Sequence, residues 1–333
     1  MDEIIHNAIK RNEEMKKPLD SVPWTPDQPH PQSYYEFDSS ARDWKPITNA
    51  ETPSSSQLRR LALYSWNIDF MLPFDAPRME AALAELKKLV GEAKADTAIV
   101  IYLQECVVPD LATIGEQAWV RENFYVTDVD STEWASGYYG TTTLIDRRLP
   151  VADCFRVHYQ QTRMERDAFF VDVLLGKNAD RKVRLCNTHL ESLAFDPPFR
   201  PPQMEIAARF MKDDGLHGAM AAGDFNAIQD FDRTLHSNNG LKDAYLELGG
   251  KEDSDEGYTW GQQAATNLRD RFGCSRMDKV YYHGGLKLEE FQRFGADVQL
   301  IDPQQKQRLA DLGFEKPWIT DHLGVMAEVS IVE

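Results

Sequence analysis

Short apolar runs separated by polar turns fill most of the chain after Leu58. The last run alternates apolar and polar positions from Leu323 to Ile331, which predicts a strand with one buried face. Other apolar runs are short enough for strands and end at polar residues. They predict strands at residues 61–68, 98–103, 139–145, 151–157, 168–175, 183–188, 219–222 and 277–282.

Helices are predicted at residues 4–15, from Pro77 onward and at residues 202–212. Proline suits the first turn of a helix, and Met79, Leu83 and Leu86 after Pro77 recur on one helical face. Many strands with few helices between them favour two mainly antiparallel sheets packed face to face, with the helices outside. The pattern therefore predicts an α+β fold.

Residues 1–55 differ from the rest of the chain. They hold seven of the 17 prolines and the aromatic side chains Trp24, Tyr34, Tyr35, Phe37 and Trp44. Because so many aromatic residues are unusual in a solvated tail, we expect a helix followed by an extended arm packed on the core, with a disordered tail as the alternative. Residues 58–333 are expected to form one large domain.

The composition limits the function classes. The chain has 37 basic and 54 acidic residues and a net charge of −17. This charge argues against a protein that coats nucleic acid through many phosphate contacts, but it allows an enzyme that grips a few nucleotides. The four cysteines are scattered, and no apolar run approaches the roughly 20 residues of a membrane span. We expect an intracellular monomer, in the nucleus or the cytoplasm, with reduced thiols and no membrane partner.

The segment Gly223-Asp224-Phe225-Asn226 closes a run of small apolar residues. Residues two apart point the same way on an extended backbone, so the Asp224 carboxylate and the Asn226 amide face one side. Such a pair is suited to hold a water molecule against a phosphorus atom. Three other apolar runs end in a similar way, at Asn67 and Asp69, at Glu105 and at His189.

The candidate site contains oxygen and imidazole donors and needs no thiolate. Such donors suit Mg²⁺ or Mn²⁺, whereas zinc more often recruits cysteine or several closely spaced histidines. Glu105 is the first choice as a metal ligand, because a carboxylate at the end of a buried strand is costly without a cation. A solvated Glu105 is the alternative. The full set is Asn67, Asp69, Glu105, His189, Asp224, Asn226, Asp278, Asp321 and His322.

Phosphodiester hydrolysis needs an in-line water molecule, a group that accepts its proton, and positive charge around the phosphorus. Asp224 is the candidate for orienting and deprotonating the water, and Asn226 for holding it. His189 and His322 are candidates for stabilising the oxyanion together with the metal. Asp278 is the candidate partner that fixes the tautomer of His322. A structural role is the alternative for either histidine.

In this order, the motifs resemble those of the endonuclease/exonuclease/phosphatase superfamily, the metal-dependent phosphodiesterases related to DNase I. Within that superfamily they are similar to the tyrosyl-DNA phosphodiesterase 2 family. The resemblance covers about residues 58–333. It is carried by Trp66-Asn67-Ile68-Asp69, Leu103-Gln104-Glu105, His189-Leu190-Glu191-Ser192, Gly223-Asp224-Phe225-Asn226 and Asp321-His322.

The resemblance implies a four-layer α/β/β/α sandwich and a Mg²⁺ ion at Glu105, with Asn67 and Asp69 as further ligands. It implies hydrolysis of a 5′-phosphotyrosyl bond at a single-stranded or frayed DNA end, leaving a 5′ phosphate, as in the repair of topoisomerase–DNA adducts. A phenolate leaves readily, because the tyrosine hydroxyl has a pKa of about 10. Ser192 and Trp260 are the implied substrate-binding residues. Stacking on a base is expected for Trp260, with packing into the sheet rim as the alternative.

One position departs from the family pattern. Relatives usually follow Gly-Asp-x-Asn with Leu-Arg-Asp, but this chain has Ile228 where the arginine is expected, so a basic contact to DNA is missing there. Abasic-site endonucleases, deadenylases, nonspecific nucleases, sphingomyelinases and inositol-phosphate phosphatases use the same metal core and stay alternatives. An inactive scaffold that binds a partner through its acidic surface is a further alternative.

Overall fold

The structure, a computed structural model, describes residues 2–47, 58–177 and 179–332. Helices and strands are numbered along the chain. The helices are α1 (Asp2–Met15), α2 (Asp75–Glu92), α3 (Val108–Glu116), α4 (Ala118–Asn123), α5 (Arg200–Met211), α6 (Leu235–Asn238), α7 (Ala244–Glu247), α8 (Thr266–Phe272) and α9 (Pro303–Asp311), with a 3₁₀ helix at Asp230–Thr234. Among the described residues, no helix combines the length and the apolar character needed to cross a membrane.

The strands form two sheets. In spatial order, the seven-stranded sheet contains β1 (His30–Pro31), β8 (Val151–His158), β9 (Asp167–Leu175), β10 (Arg181–Thr188), β11 (Gly218–Asp224), β13 (Asp278–Gly284) and β12 (Lys242–Asp243). The eight-stranded sheet contains β14 (Leu286–Phe294), β15 (Gly324–Ile331), β4 (Arg60–Asn67), β5 (Thr97–Val107), β7 (Tyr139–Asp146), β6 (Phe124–Val126), β2 (Tyr34–Asp38) and β3 (Asp43–Ile47).

The predicted four-layer α/β/β/α architecture is confirmed by the packing. Leu63 and Val100 of the eight-stranded sheet share a buried cluster with Val171 and Met220 of the other sheet, so apolar faces fill the space between the sheets. The outer face of the eight-stranded sheet packs against α2, α3 and α9, and that of the seven-stranded sheet packs against α5. On α2, the spacing of Met79, Leu83 and Leu86 buries one side of the helix.

Each sheet is mainly antiparallel, as predicted, but contains one parallel pair. β4 runs parallel to β5, and β10 runs parallel to β11. Parallel strands bring their carboxyl ends to one edge of a sheet, and the packing of the two sheets then brings Asn67 at the end of β4 close to Asp224 at the end of β11. β13 runs antiparallel to β11 and places Asp278 opposite Asp224.

Residues 2–47 extend both sheets. His30 pairs with Arg156 of β8, and Tyr35 pairs with Val126 of β6. Trp24 is buried and stacks on His158, with the ring centroids 3.9 Å apart. The predicted N-terminal helix is confirmed as α1. The predicted boundary between arm and domain falls on residues 48–57, which lie outside the described residues.

The structure also differs from the predicted elements, and two of the differences concern β5 and β14. The strand expected to end at Leu103 continues to Val107, because a bulge between Leu103 and Cys106 lets the ladder resume after Glu105. Glu105 therefore lies inside β5, with a positive φ of 58°, and not beyond its end. β14 was not predicted, because its polar, partly exposed residues have no apolar run.

Candidate active site

The carboxyl ends of β4 and β11 meet across the two sheets through one hydrogen bond. The Asn67 side chain donates from Nδ2 to Oδ2 of Asp224 at 2.9 Å, and both residues are buried. The other Asp224 oxygen accepts a hydrogen bond from the backbone N–H of Asn226 at 2.8 Å. The structure thus brings Asn67 together with Asp224 and Asn226, the two residues that the sequence proposed for holding the attacking water.

Gly223 permits the close approach of β10 and β11 at this point. Its φ is 149°, and a Cβ atom there would lie 1.7 Å from the carbonyl oxygen of Thr188. A side chain would therefore push apart the strand ends that carry His189 and Asp224. This contact gives a steric reason for the glycine in the Gly-Asp-Phe-Asn segment.

His189 is held as a neutral imidazole. Nη1 of Arg166 lies 2.7 Å from Nδ1 of His189, and because arginine only donates, Nδ1 is the acceptor. The proton is therefore on Nε2 and points to Oδ2 of Asp224 at 3.3 Å. The Asn226 Nδ2 group, 3.0 Å from the same nitrogen, donates to the carbonyl oxygen of Leu190 at 3.0 Å. Burial, together with the Arg166 charge, lowers the pKa of His189 to about 4.

Arg166 is a site residue that the sequence prediction missed. It is buried directly before β9, and its guanidinium lies 5.4 Å from the ring centroid of Tyr139. Burial opposes its charge, but Tyr139 and Glu105 raise its pKa above the ordinary value. The available signal was an arginine immediately before an apolar strand, a pattern that surface arginines share.

Asp224 stays ionised although it is buried. Burial alone would raise its pKa, but His322 and the hydrogen bond from His189 outweigh it and hold the pKa below the ordinary range. A buried carboxylate that remains charged is a strong hydrogen-bond acceptor. Asp224 can therefore orient a water molecule and attract its proton.

His322 carries the opposite charge. Its Nδ1 donates to Oδ2 of Asp278 at 2.8 Å, so the hydrogen bond proposed between these two residues is present. Burial opposes protonation, yet Asp278 and Asp224 raise the pKa of His322 well above its ordinary value. Its Nε2 lies 3.7 Å from Asp224 and 3.8 Å from Asp321. The imidazolium therefore faces the centre of the site.

A carboxylate cluster, formed by Asp69, Glu105 and Asp321, lies beside these groups. Burial, reinforced by Asp321 and Glu105, raises the pKa of Asp69 well above its ordinary value, and burial raises that of Glu105 to about 7. Glu105 accepts a hydrogen bond from the backbone N–H of Phe70 at 3.1 Å. Oδ2 of Asp69 is buried without a hydrogen-bond partner among the described residues. An unpartnered oxygen among mutually repelling carboxylates fits a hard divalent cation.

Asp224, Asp278 and His322 form a second group of metal-ligand type, with one ligand atom from each within 4.8 Å of the others. Two of these residues are already joined by the hydrogen bond between His322 and Asp278. Asp278 and Asp224 raise the pKa of His322 and keep it an imidazolium, whose two ring nitrogens both carry protons, whereas a metal ligand needs a free lone pair. The carboxylate cluster is therefore the better candidate for the metal.

The two predicted substrate-binding residues line the same cavity, which has a volume of about 750 Å³. Trp260 is half-buried and donates from Nε1 to Oδ2 of Asp321 at 2.7 Å. Ser192 is half-buried in the loop after His189. Apolar side chains of α1, including Ile5 and Ile9, line another part of this cavity, which the sequence did not predict.

Comparisons with known proteins agree with this geometry. The sequence profile of the Endonuclease/Exonuclease/phosphatase family matches residues 64–322, a range that includes every candidate catalytic and metal-binding residue. None of the curated proteins matches significantly. Solved structures that resemble the chain include truncated Caenorhabditis elegans TDP2, with 24% identity, a TM-score of 0.59 and coverage of 81% of this chain and 97% of that chain.

Two further similar structures extend the comparison. D. rerio TDP2 complexed with single strand DNA product has 17% identity and a TM-score of 0.60, over 81% of this chain and 99% of that chain. The human Nocturnin catalytic domain with bound sulfate anion has 17% identity and a TM-score of 0.56, over 84% of this chain and 97% of that chain. At these identities the likeness shows the fold. The predicted resemblance to the tyrosyl-DNA phosphodiesterase 2 (TDP2) fold is confirmed.

Proposed function

Because the chain belongs to the endonuclease/exonuclease/phosphatase family, whose members are generally divalent-metal-dependent phosphodiesterases, we propose that it hydrolyses a 5′-phosphotyrosyl bond at a DNA end. The product is a 5′-phosphorylated strand, and the cofactor is Mg²⁺, with Mn²⁺ as the alternative. The observation that carries the proposal is the ionised Asp224, held between Asn67 and the two histidines and beside a buried carboxylate cluster.

Glu105, Asn67 and Asp69 would hold the metal. When bound, a divalent cation polarises a phosphate oxygen and neutralises charge that develops at the phosphorus. It also relieves the repulsion within the carboxylate cluster. After burial, this repulsion is the second cause of the raised pKa of Asp69. Asp321 contributes a negative charge from the opposite loop and is fixed by the hydrogen bond from Trp260.

The reaction needs a water molecule opposite the leaving oxygen. Asp224 accepts a proton from this water, and Asn226 limits where the water sits. The Nε2 proton of His189 and the imidazolium of His322 are donors suited to the phosphate oxygens, on which negative charge grows. Asp278 keeps His322 protonated and orients its ring.

A tyrosyl ester fits this set of groups. A phenolate is a good leaving group because its conjugate acid has a pKa of about 10, so the site does not depend on a strong general acid. The partner proposed is a single-stranded or frayed DNA end. The TDP2 structure with a single strand DNA product, which has the same fold, supports this choice of partner.

The test compares four substrates at one Mg²⁺ concentration: a 5′-phosphotyrosyl oligonucleotide, an abasic duplex, poly(A) and sphingomyelin. We expect the first to be hydrolysed with the highest kcat/KM and the reaction to stop when a chelator is added. A preference for another substrate would replace the proposed substrate and leave a phosphodiesterase. Hydrolysis of none of them would contradict the proposed function itself.

A further inference from the structure

We propose that Arg163 binds a second phosphate of the substrate strand, next to the one that is cleaved. This inference rests on the proposed function, because it concerns a polynucleotide end in the same cavity. Arg163 lies in the loop between β8 and β9 and lines the cavity that contains Asp224 and Ser192. Its role does not follow from any motif of the sequence.

Arg163 differs from the other arginines that line this cavity. Arg233 is paired with Asp253 at 2.6 Å, Arg276 with Asp243 at 2.7 Å, and Arg166 is bound to the His189 ring. Arg163 is exposed, and its guanidinium forms no ion pair within residues 2–47, 58–177 and 179–332. It is thus a cation in the cavity whose charge is available to an anion.

The guanidinium of Arg163 is held by aromatic rings. It lies 4.8 Å from the ring centroid of Phe195 and 5.7 Å from that of Phe199, and these two rings meet edge to face at 5.3 Å. Stacking uses the face of the guanidinium and leaves its N–H groups at the edge free. That edge matches the geometry of two phosphate oxygens.

The backbone of the loop is fixed by a buried carboxylate. Glu191 accepts hydrogen bonds from the Arg163 backbone N–H at 2.9 Å and from the Thr162 hydroxyl at 2.7 Å. The Glu191 side chain is fully buried and also accepts from Gln203 at 3.2 Å. The third residue of the His189-Leu190-Glu191-Ser192 motif therefore ties the arginine loop to the strand end that carries His189.

Arg163 lines the same cavity as Ile228, the position where relatives carry an arginine. The two positions are linked through the loop after His189, because Glu191 of that loop accepts from the Arg163 backbone N–H. Arg200 completes the link, since it donates both to the carbonyl oxygen of Leu193 at 2.7 Å and to the side chain of Gln229 at 3.0 Å. Ile228 is 43% exposed and offers no charge. Arg163 therefore supplies a cation to the cavity in which the family arginine is absent.

The charge of the whole chain makes this residue important. A net charge of −17 repels a polynucleotide, so binding depends on a few local cations. One phosphate contact by one arginine changes affinity by about tenfold, or about 1.4 kcal/mol. The contact cannot form with a substrate that contains only the scissile phosphate. Substrate length therefore separates this role from a role in the chemical step.

The experiment uses two p-nitrophenyl esters of thymidine 5′-phosphate, one as the mononucleotide and one at the 5′ end of a tetrathymidylate. In Arg163→Gln, we expect KM for the tetranucleotide ester to rise about tenfold with kcat unchanged, and both constants for the mononucleotide ester to stay within twofold. The slope of log KM against log salt for the longer ester should become less steep by about 0.7. Arg163→Lys, which keeps the charge but not the planar edge, should show a smaller increase in KM.

Arg233→Gln is the matched control, since it removes one positive charge from the same cavity at a residue already paired with Asp253. An equal effect of both variants on KM would mean a general field effect and would overturn the inference. Equal loss on both esters, or no change on either, would also overturn it. If the wild-type chain cleaves neither ester, the proposed function fails. The role of Arg163 is then decided separately, by comparing the affinities of the wild-type chain and Arg163→Gln for 5′-phosphorylated tetrathymidylate and for thymidine 5′-phosphate.

Discussion

Arg78 joins the two loops that carry Asp69 and Asp321 of the carboxylate cluster, and its replacement should lower stability and turnover together. The side chain is fully buried in α2. It donates to the carbonyl oxygens of Ile319 at 2.8 Å, of Leu72 and Pro73 at 3.0 Å each, and of Ile68. Ile68 lies between Asn67 and Asp69, and Ile319 is two residues before Asp321.

Arg78→Met keeps an unbranched apolar stem and removes all four of these hydrogen bonds. An unpaired buried carbonyl costs about 1–3 kcal/mol. Part of the total cost is offset, because the variant no longer has to bury the charge of the arginine. We expect the free energy of unfolding to fall by about 3–5 kcal/mol. A shift of about 1 Å between the two loops would lower kcat/KM by about 100-fold.

Urea unfolding followed by tryptophan fluorescence measures the stability, and turnover at several Mg²⁺ concentrations measures the site. Lys88→Met is the matched control, because Lys88 lies on the same helix with 65% of its side chain exposed, and it should change both quantities little. Arg78→Lys should be intermediate, since three N–H donors remain. The reasoning would be refuted if Arg78→Met had a free energy of unfolding within about 1 kcal/mol of that of the parent and a kcat/KM within twofold of the parent's.

Three further changes test the site and the core. Glu105→Ala should abolish Mg²⁺-dependent turnover. Thermal unfolding without metal should stay nearly unchanged, because burial already makes the ionised Glu105 carboxylate unfavourable. Full activity of this variant would reject Glu105 as a metal ligand. Asp224→Asn should lower kcat by at least about 100-fold with little change in substrate affinity, and equal losses would indicate a binding role instead. Burial and Arg156 lower the pKa of His158 to about 2, so the folded state excludes a proton that the unfolded chain binds below about pH 6.5. The free energy of unfolding of the parent should therefore fall by about 1.4 kcal/mol per pH unit below that value. His158→Phe keeps the stack on Trp24 and lacks this titration. In urea unfolding, its free energy of unfolding should therefore rise by about 2 kcal/mol relative to that of the parent when the pH is lowered from about 7.5 to about 5. A pH-independent difference would contradict this.

The strands and the residues at their ends could be predicted because each side chain is fixed by its own strand. Asp224 and Asn226 follow a buried run and are two residues apart, so extended geometry sets their common direction. Parallel pairing then places the end of β4, which carries Asn67, beside β5 in one sheet, and His189 beside the end of β11 in the other. These placements need no knowledge of the loops.

Contacts between loops could not be predicted. Arg166 reaches the Nδ1 atom of His189 from the start of another strand, and nothing in its local sequence distinguishes it from a surface arginine. Glu105 appeared to lie beyond its strand because a bulge leaves no trace in an apolar run. The wall that α1 contributes to the cavity depends on Asn12, which donates to Glu165 at 2.7 Å across 153 residues. Such distant pairings are set by tertiary packing.

The bond between Asn67 and Asp224 spans 157 residues and joins one sheet to the other. Gln104 and Asn187 make a second link of the same kind at 2.9 Å. The chain also builds the eight-stranded sheet from both of its ends, with the seven-stranded sheet largely in between. Neither half of the polypeptide therefore carries a usable reaction centre, and catalytic competence arises only once both layers have docked, late in folding.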